Sequence, residues 1–372
     1  MIIKMKSKKV GILNYYYSNE NFGAVLQCYA LQSYICDLGF DSYTIDFRNF
    51  PRRPDRALET FIKTYILQNP FEKFRKKWLK LSRRTYFWAF QLKGKFSDYE
   101  AFIVGSDQVW RATLGDQVLR FPHAIYFLSF VPQGKKRIAY GVSFGTNKWD
   151  VGMNSFYTEL VKTEVQKFDH ISVRESSGIN ICNEIFECNA VKVLDPVLLV
   201  GRHYFDRIIG SKPQSIKKEI IFYKLDINQT FEDMIDILSF QMKLPSRNIY
   251  YASAKKFLNK QFFSFIDVEE WLIKIRDGEL IITDSYHCVC FCLLFEKQFI
   301  YFPNEKRGMD RLMDLLGLVG LLDRIYVSID DLKTRHCWQD KIEYGSVNKI
   351  LQLERAKSNS FLLHALEKNC IL

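Results

Sequence analysis

Short apolar runs alternate with segments of helical period along most of the 372 residues, the pattern of parallel sheets wound with helices. The first runs predict strands at 10–14 and 42–47. Between them, residues 24–38 repeat apolar positions at helical spacing and end at Gly39, a residue free to take the left-handed conformation that stops a helix. Strands at 101–104, 137–142, 170–173 and 191–194 continue the series, with a helix at 157–168. Asp195-Pro196 closes it, and the polar stretch 211–218, with Pro213, reads as a linker or hinge. A second series follows, with strands at 219–225, 248–251, 280–283 and 299–302 and helices at 231–241, 268–276, 287–295 and 309–316. The tail, 339–368, has helical period and no strand after it. The expected organisation is an N-terminal domain over 1–200, a C-terminal domain over 201–338 and a terminal helix, 339–372, packing back on the first domain.

One insertion, 48–96, departs from this alternation. It passes Pro51, Pro54 and Pro70 into residues 71–95, where Lys73, Arg75, Lys76, Lys77, Lys80, Arg83 and Arg84 mix with Trp78, Tyr86, Phe87, Trp88 and Phe90. Read as one helical segment, it suits an anionic membrane surface. The plainer reading is an amphipathic helix whose lysines are solvated while its aromatics pack on the domain.

With 48% hydrophobic and 15% aromatic residues the chain can fill two cores, which excludes disorder and small disulfide-stapled folds. A net charge of +11 favours anionic partners without choosing among nucleic acid, phosphorylated metabolites and acidic membranes. The nine cysteines include no C-x-x-C pair, so neither a zinc knuckle nor a secreted disulfide framework is suggested. Cys288, Cys290 and Cys292 would point to different sides of a helix and read as small buried hydrophobes. A reducing cytoplasm is the expected location. The apolar run after the basic start covers only 10–13, and the longest, 288–295, falls well short of the roughly 20 residues a membrane helix needs.

In open parallel sheets ligands bind beyond the carboxyl ends of the strands, so the residues after each strand are the candidates. After the first strand, Asn21, Phe22 and Gly23 open a helix and offer either amides to an anion or an N-cap and a turn glycine. After 101–104, the run Gly105-Ser106-Asp107-Gln108-Val109-Trp110 joins a carboxylate, an amide and an aromatic face, as a sugar site does, although a capped turn explains the same spacing. Arg174, ending 170–173, has the fork for a phosphate or carboxylate, or for pairing with Glu175 or an acidic residue elsewhere. After 280–283, Asp284 or Ser285 caps a helix whose first turn carries His287. Amides and an imidazole then meet where acid-base work on a phosphorylated substrate needs them, with a structural histidine as the alternative. Arg307 and Arg311, four apart, share a helix face and could close over the same anion.

Six blocks, in order, resemble the polysaccharide pyruvyl transferase family over about residues 9–330. They are Gly11-Ile12-Leu13 with the run from Asn21 to Leu31; Gly105 to Trp110; Ala139 to Gly145; Ile171-Ser172-Val173-Arg174-Glu175; Val193-Leu194-Asp195-Pro196; and Ile282-Thr283-Asp284-Ser285-Tyr286-His287. The resemblance implies an α/β fold of two Rossmann-like domains facing a cleft, GT-B-like. It also implies transfer of pyruvyl from phosphoenolpyruvate to two hydroxyls of one sugar, releasing phosphate and leaving a cyclic ketal, in cell-surface or capsular polysaccharide biosynthesis. By the same resemblance His287 is the catalytic histidine, Asp107 an aspartate of the acceptor or donor site, and Arg174 the arginine that binds phosphoenolpyruvate. Some members carry arginine two residues before the histidine. Here that position is Ser285, so Arg307 and Arg311 are expected to supply the missing anion contact, and Cys288 stands where many relatives have glycine.

Asn21, Gln108 and Trp110 are the residues expected to meet the acceptor, and no metal or organic cofactor is implied. The expected partners are phosphoenolpyruvate and a sugar acceptor, free, nucleotide-linked or lipid-linked, with peripheral contact at the inner face of the membrane. Nucleic acid is not expected, because the basic excess lies mainly in the insertion and no recognition motif accompanies it. Two rival readings keep the architecture. A GT-B glycosyltransferase should discriminate a nucleotide base, to which nothing here points. A noncatalytic sugar-binding protein of a polysaccharide assembly would keep Asp107 and Trp110 without needing His287 and Arg174 together.

Overall fold

The computed structural model describes residues 7–48, 69–114, 117–118, 125–151, 155–224, 227–257, 260–303 and 309–367. The first series of apolar runs forms β1 (Lys9–Leu13), β2 (Asp41–Thr44), β3 (Tyr99–Val104), β4 (Lys136–Val142), β5 (His170–Val173) and β6 (Val191–Lys192). They make one parallel sheet in the order β2-β1-β3-β4-β5-β6. The second series gives β7 (Ile220–Tyr223), β8 (Ser246–Asn248), β9 (Leu280–Thr283) and β10 (Gln298–Tyr301), parallel in the order β8-β7-β9-β10. Strands covered on both faces read as unbroken apolar runs rather than alternations, which is why β9 is buried at all four positions.

The helices, in chain order, are α1 (Phe22–Asp37), α2 (Pro70–Trp78), α3 (Phe156–Val165), α4 (Ser176–Glu184), α5 (Pro196–Val200), α6 (Arg202–Ile209), α7 (Gln229–Met242), α8 (Val268–Asp277), α9 (Tyr286–Leu294), α10 (Asp310–Leu318), α11 (Ile329–Thr334) and α12 (Tyr344–Leu366). Between α5 and α6 the chain turns at Gly201, whose φ of +79° excludes most side chains. The stretch 211–218 is exposed. An apolar core runs across the two domains at α1 and α8, where Phe22 stacks on Trp271 at 5.1 Å between ring centroids. Such a pair adds about 0.5–1.5 kcal/mol beyond its area.

Residues 71–95 are not one helix. α2 ends at Trp78, and the chain then runs beside the edge strand, bridging Leu81 to Thr44 and Tyr86 to Phe47. The unpaired edge of β2 wins over local helical preference, with Tyr86 N donating to Asp46 O at 2.7 Å. Phe71 and Phe74 are core residues, and Lys77 and Lys80 are ion-paired to Glu269 and Asp41. Residues 251–265 hold an antiparallel hairpin, Tyr251–Phe257 against Lys260–Phe265, where sequence pattern gave only the end of a short strand.

α12 crosses from one domain to the other. At its start Tyr344 OH donates to Lys297 O at 2.5 Å and Asn348 Nδ2 to Glu296 Oε1 at 2.7 Å. Further along, Arg355 Nε donates to Leu198 O at 2.6 Å, Ser358 Oγ accepts from Leu194 N at 2.9 Å, and Lys136 Nζ donates to Ala365 O at 3.1 Å.

Candidate active site

The carboxyl ends of four strands converge on one buried carboxylate. Asp195 follows β6 and caps α5, its Oδ1 accepting from Val197 N at 2.9 Å. That role fixes the carboxylate and leaves Oδ2 for long-range partners. Arg174 Nη1, past β5, donates to Oδ2 at 2.6 Å, and Ser106 Oγ, past β3, does so at 3.0 Å. From the other domain, past β9, His287 Nε2 stands 3.4 Å from the same oxygen. That separation is beyond a good hydrogen bond, so the imidazole faces the carboxylate without being bonded to it. Asp195 is fully buried. Burial pushes its carboxyl up, but His287 and then Arg174 outweigh burial and hold it well below the usual carboxylate range.

Arg174 is the second organising group. Burial works against its charge, yet Tyr286, Asp195, Asp107 and Glu175 around it hold the guanidinium cationic. Asp107 Oδ1 lies 3.8 Å from Nη2, and the Tyr286 ring lies 4.4 Å from the guanidinium carbon. Nε and Nη2 have no hydrogen-bond partner. α10 bridges the domains, with Ser176 Oγ donating to Asp314 Oδ1 at 2.6 Å and Lys192 Nζ paired to Asp314 Oδ2 at 2.9 Å. It thereby brings Arg311 near the same ring, its guanidinium carbon 5.8 Å from the Tyr286 centroid. Desolvation lowers the pKa of the partly buried Arg311 and the like charge of buried Arg174 lowers it further, so the two cations act on one another. Glu175 binds Ser143 Oγ at 2.7 Å and Phe144 N at 3.0 Å through Oε1, leaving Oε2 without a hydrogen bond. Burial raises its pKa against the pull of Arg174 and Arg311.

His287 owes its position to two local devices. Ser285 caps α9, accepting from Cys288 N at 3.4 Å, which starts the helix at Tyr286 and puts His287 in its first turn. Gly23 supplies the floor: a Cβ there would lie 2.2 Å from His287 Nδ1 and 2.4 Å from Cγ. The imidazole therefore sits on α1 backbone that only glycine leaves open, and Asn21 fixes that backbone by accepting from Ala24 N at 3.1 Å. Gly23→Ala should displace the imidazole, cutting turnover at least about tenfold and costing about 1–3 kcal/mol as an overpacked contact. Urea unfolding together with the activity assay below checks this, and wild-type values in both would show that the helix gives way without consequence.

Of the residues singled out in the sequence, His287, Arg174, Arg311 and Asp107 come together, with Ser285 beneath them as a cap. Asp107 has φ +92°, a conformation rare outside glycine. Its carbonyl accepts from Val109 N and Ser143 N while Oδ1 takes Gln108 N at 2.8 Å, and these bonds hold a turn that costs about 1–3 kcal/mol of strain. Gln108 bonds Arg111 Nη1 through Oε1 at 2.9 Å and lies over Gly145. Asn21 is committed to its cap. Trp110 is 1% exposed, its Nε1 donates to Tyr126 O, and Phe127, Phe144 and Phe168 surround its ring, so it stands in the core and presents no face to a sugar. Arg307 lies outside the described residues. Asp195 and Ser106 were legible only as members of motif blocks, and Tyr286 only as the neighbour of the histidine.

Two sheets of parallel strands facing each other across such a cleft define a GT-B-like architecture, and solved structures agree. The chain is similar to S. aureus MnaA in complex with UDP, at TM-score 0.53 and 9% identity over 98% of each chain. It is also similar to a glycotransferase of kitacinnamycin, at TM-score 0.51 and 9% identity over 97% of this chain and 98% of that one. No curated protein sequence matches the chain. The family is settled by sequence: the model described as Polysaccharide pyruvyl transferase matches residues 21–306, and the chain belongs to that family. Among the described residues no helix is long and apolar enough to cross a membrane.

Proposed function

We propose that the protein transfers pyruvyl from phosphoenolpyruvate onto two hydroxyls of one sugar to give a cyclic ketal. The observation that carries this reading is the buried Arg174 guanidinium with Nε and Nη2 unbonded, beside Arg311 and within the same cleft as His287. Buried donors are nearly always satisfied, so two with no hydrogen-bond partner among the described residues are suited to hold an anion. A donor carrying both a carboxylate and a phosphate suits two arginines near one ring, because each anionic group can take a charge-assisted contact.

In this mechanism His287 delivers a proton to the methylene carbon of phosphoenolpyruvate while the first sugar hydroxyl bonds C2 and gives up its proton to Asp107, which passes it to solvent as solvent reprotonates His287. The C2–O bond to phosphate then breaks, the second hydroxyl oxygen bonds C2, and its proton leaves with the phosphate. Arg174 and Arg311 neutralise the donor throughout, so fixed charge supplies most of the barrier reduction. Asp195 offers a counter-charge when His287 carries its proton, and Asp107, at the rim of Arg174, is placed to accept from a hydroxyl.

The deciding experiment incubates the protein with phosphoenolpyruvate and a panel of free, nucleotide-linked and lipid-linked glycans. Phosphate release coupled to a mass gain of one pyruvic acid less water supports the reading. Transfer of a whole sugar, or binding of glycan without phosphate release, would replace it with a glycosyltransferase or a sugar-binding protein. Arg174→Lys should weaken phosphoenolpyruvate binding about tenfold or more despite the retained charge, since an ammonium cannot fork between Asp195 and an anion. Unchanged affinity by calorimetry would make Arg174 purely structural.

A further inference from the structure

The insertion ends in a turn that displays what its sequence would be expected to hide. Tyr86, Leu92 and Phe96 point inward and are buried, anchoring the segment to the first domain. Phe87, Trp88 and Phe90, on the same turn, are 39%, 54% and 71% exposed. The turn is shaped from within: Gln91 Oε1 accepts from Phe87 N at 2.8 Å and Trp88 N at 3.0 Å, and residues 89–92 form a 3-10 turn. Its base is bonded as well, with Thr85 Oγ1 donating to Asp46 Oδ2 at 2.7 Å and Ser82 Oγ accepting from Asp46 N at 3.0 Å. The aromatics are thus held outward on a bonded scaffold.

Charge distinguishes this patch from a generic apolar one. From residue 73 to residue 97 the chain carries nine Lys and Arg and not one Asp or Glu. The cations of α2 are largely spent on the protein, in pairs such as Arg75 with Glu72 and Lys77 with Glu269. Arg83, Arg84, Lys93 and Lys95, which flank the aromatic turn, are exposed, and among the described residues none of them forms an ion pair. Four exposed cations with no ion pair among the described residues, beside three exposed aromatics, match the interface of an anionic bilayer, where rings sit at headgroup level and cations face lipid phosphates. The turn begins where Tyr86 pairs beyond the carboxyl end of β2, the pole of the sheet at which the cleft lies.

We propose that residues 83–95 dock the protein on an anionic phospholipid surface, with Phe87, Trp88 and Phe90 entering the interface and Arg83, Arg84, Lys93 and Lys95 pairing with lipid phosphates. Binding of this kind needs no substrate, so its test is separate from that of the reaction. The full chain is sedimented with phosphatidylcholine vesicles containing or lacking phosphatidylglycerol. Binding should require the anionic lipid and weaken as salt rises. Each cation near such a surface contributes roughly fivefold, so Arg83→Glu, Arg84→Glu, Lys93→Glu and Lys95→Glu combined should reduce binding about 100-fold or more. Trp88→Ala with Phe90→Ala should reduce it about tenfold, and all these positions are exposed, so circular dichroism should report an unchanged fold. Absence of binding, equal binding to neutral vesicles, or insensitivity to both sets of substitutions would overturn the proposal. A dimer in sedimentation velocity that Trp88→Ala with Phe90→Ala dissolves would also overturn it, by assigning the patch to a second copy of the chain.

Discussion

His287→Ala should lower turnover by about 10²–10⁴ while phosphoenolpyruvate affinity stays within a few-fold, because a positioned acid-base group typically contributes that much to rate. The expectation rests on what the imidazole does and does not do in the fold. Its Nε2 has no hydrogen bond, standing 3.4 Å from Asp195 Oδ2, while the capping of α9 depends on Ser285 rather than on it. In the proposed mechanism donor charge is met by Arg174 and Arg311, which the substitution leaves in place. Removing the ring from its seat on Gly23 opens a void, so His287→Gln, closer in volume, serves as a companion that still lacks the titratable group. If both variants turn over within tenfold of the parent, the proton comes from elsewhere.

Asp195→Asn should lower stability by about 3 kcal/mol in urea unfolding. Breaking one side of a buried ion pair costs about 3–5 kcal/mol because the other charge is left uncompensated, and the low end applies since Asp107 and Glu175 remain near Arg174. The pH dependence has a definite sign. With its folded pKa held below the unfolded value, Asp195 contributes stability that is present above the ordinary carboxylate pKa and lost only as pH falls through the depressed one. Between about pH 5 and 8 its own titration therefore adds no slope. A loss below about 1 kcal/mol would mean that Arg174 finds its counter-charge in Asp107 or Glu175.

These residues also show where reading the sequence succeeds. β5 and β9 fall at the expected residues because short apolar runs bounded by polar turns leave little freedom, and the residues after them, Arg174 and His287, sit where strand ends put ligands. The hub was out of reach. Asp195 reads locally as an aspartate before proline at the close of a strand, and its partners lie 21, 89 and 92 positions away at Arg174, Ser106 and His287. Trp110 shows the converse error, since nothing in its own segment reveals that Phe127, Phe144 and Phe168 enclose it. In the insertion, the expectation of one helical segment failed, because pairing with the edge at Thr44 and Phe47 is a tertiary choice.

The long terminal helix limits how the cleft can breathe. About 35 Å of α12, by its 23 residues at 1.5 Å each, is fastened to the second domain at Tyr344 and Asn348 and to the first at Arg355, Ser358 and Ala365. A simple swing about the 201–218 connection would tear one set of fastenings. Motion that spares both is rotation about an axis close to the helix, so the domains part most at the margin remote from it. Such a rotation would also have to release Asp314 from Ser176 and Lys192 and part Phe22 from Trp271, so α12 is one of several ties that hold the two halves together.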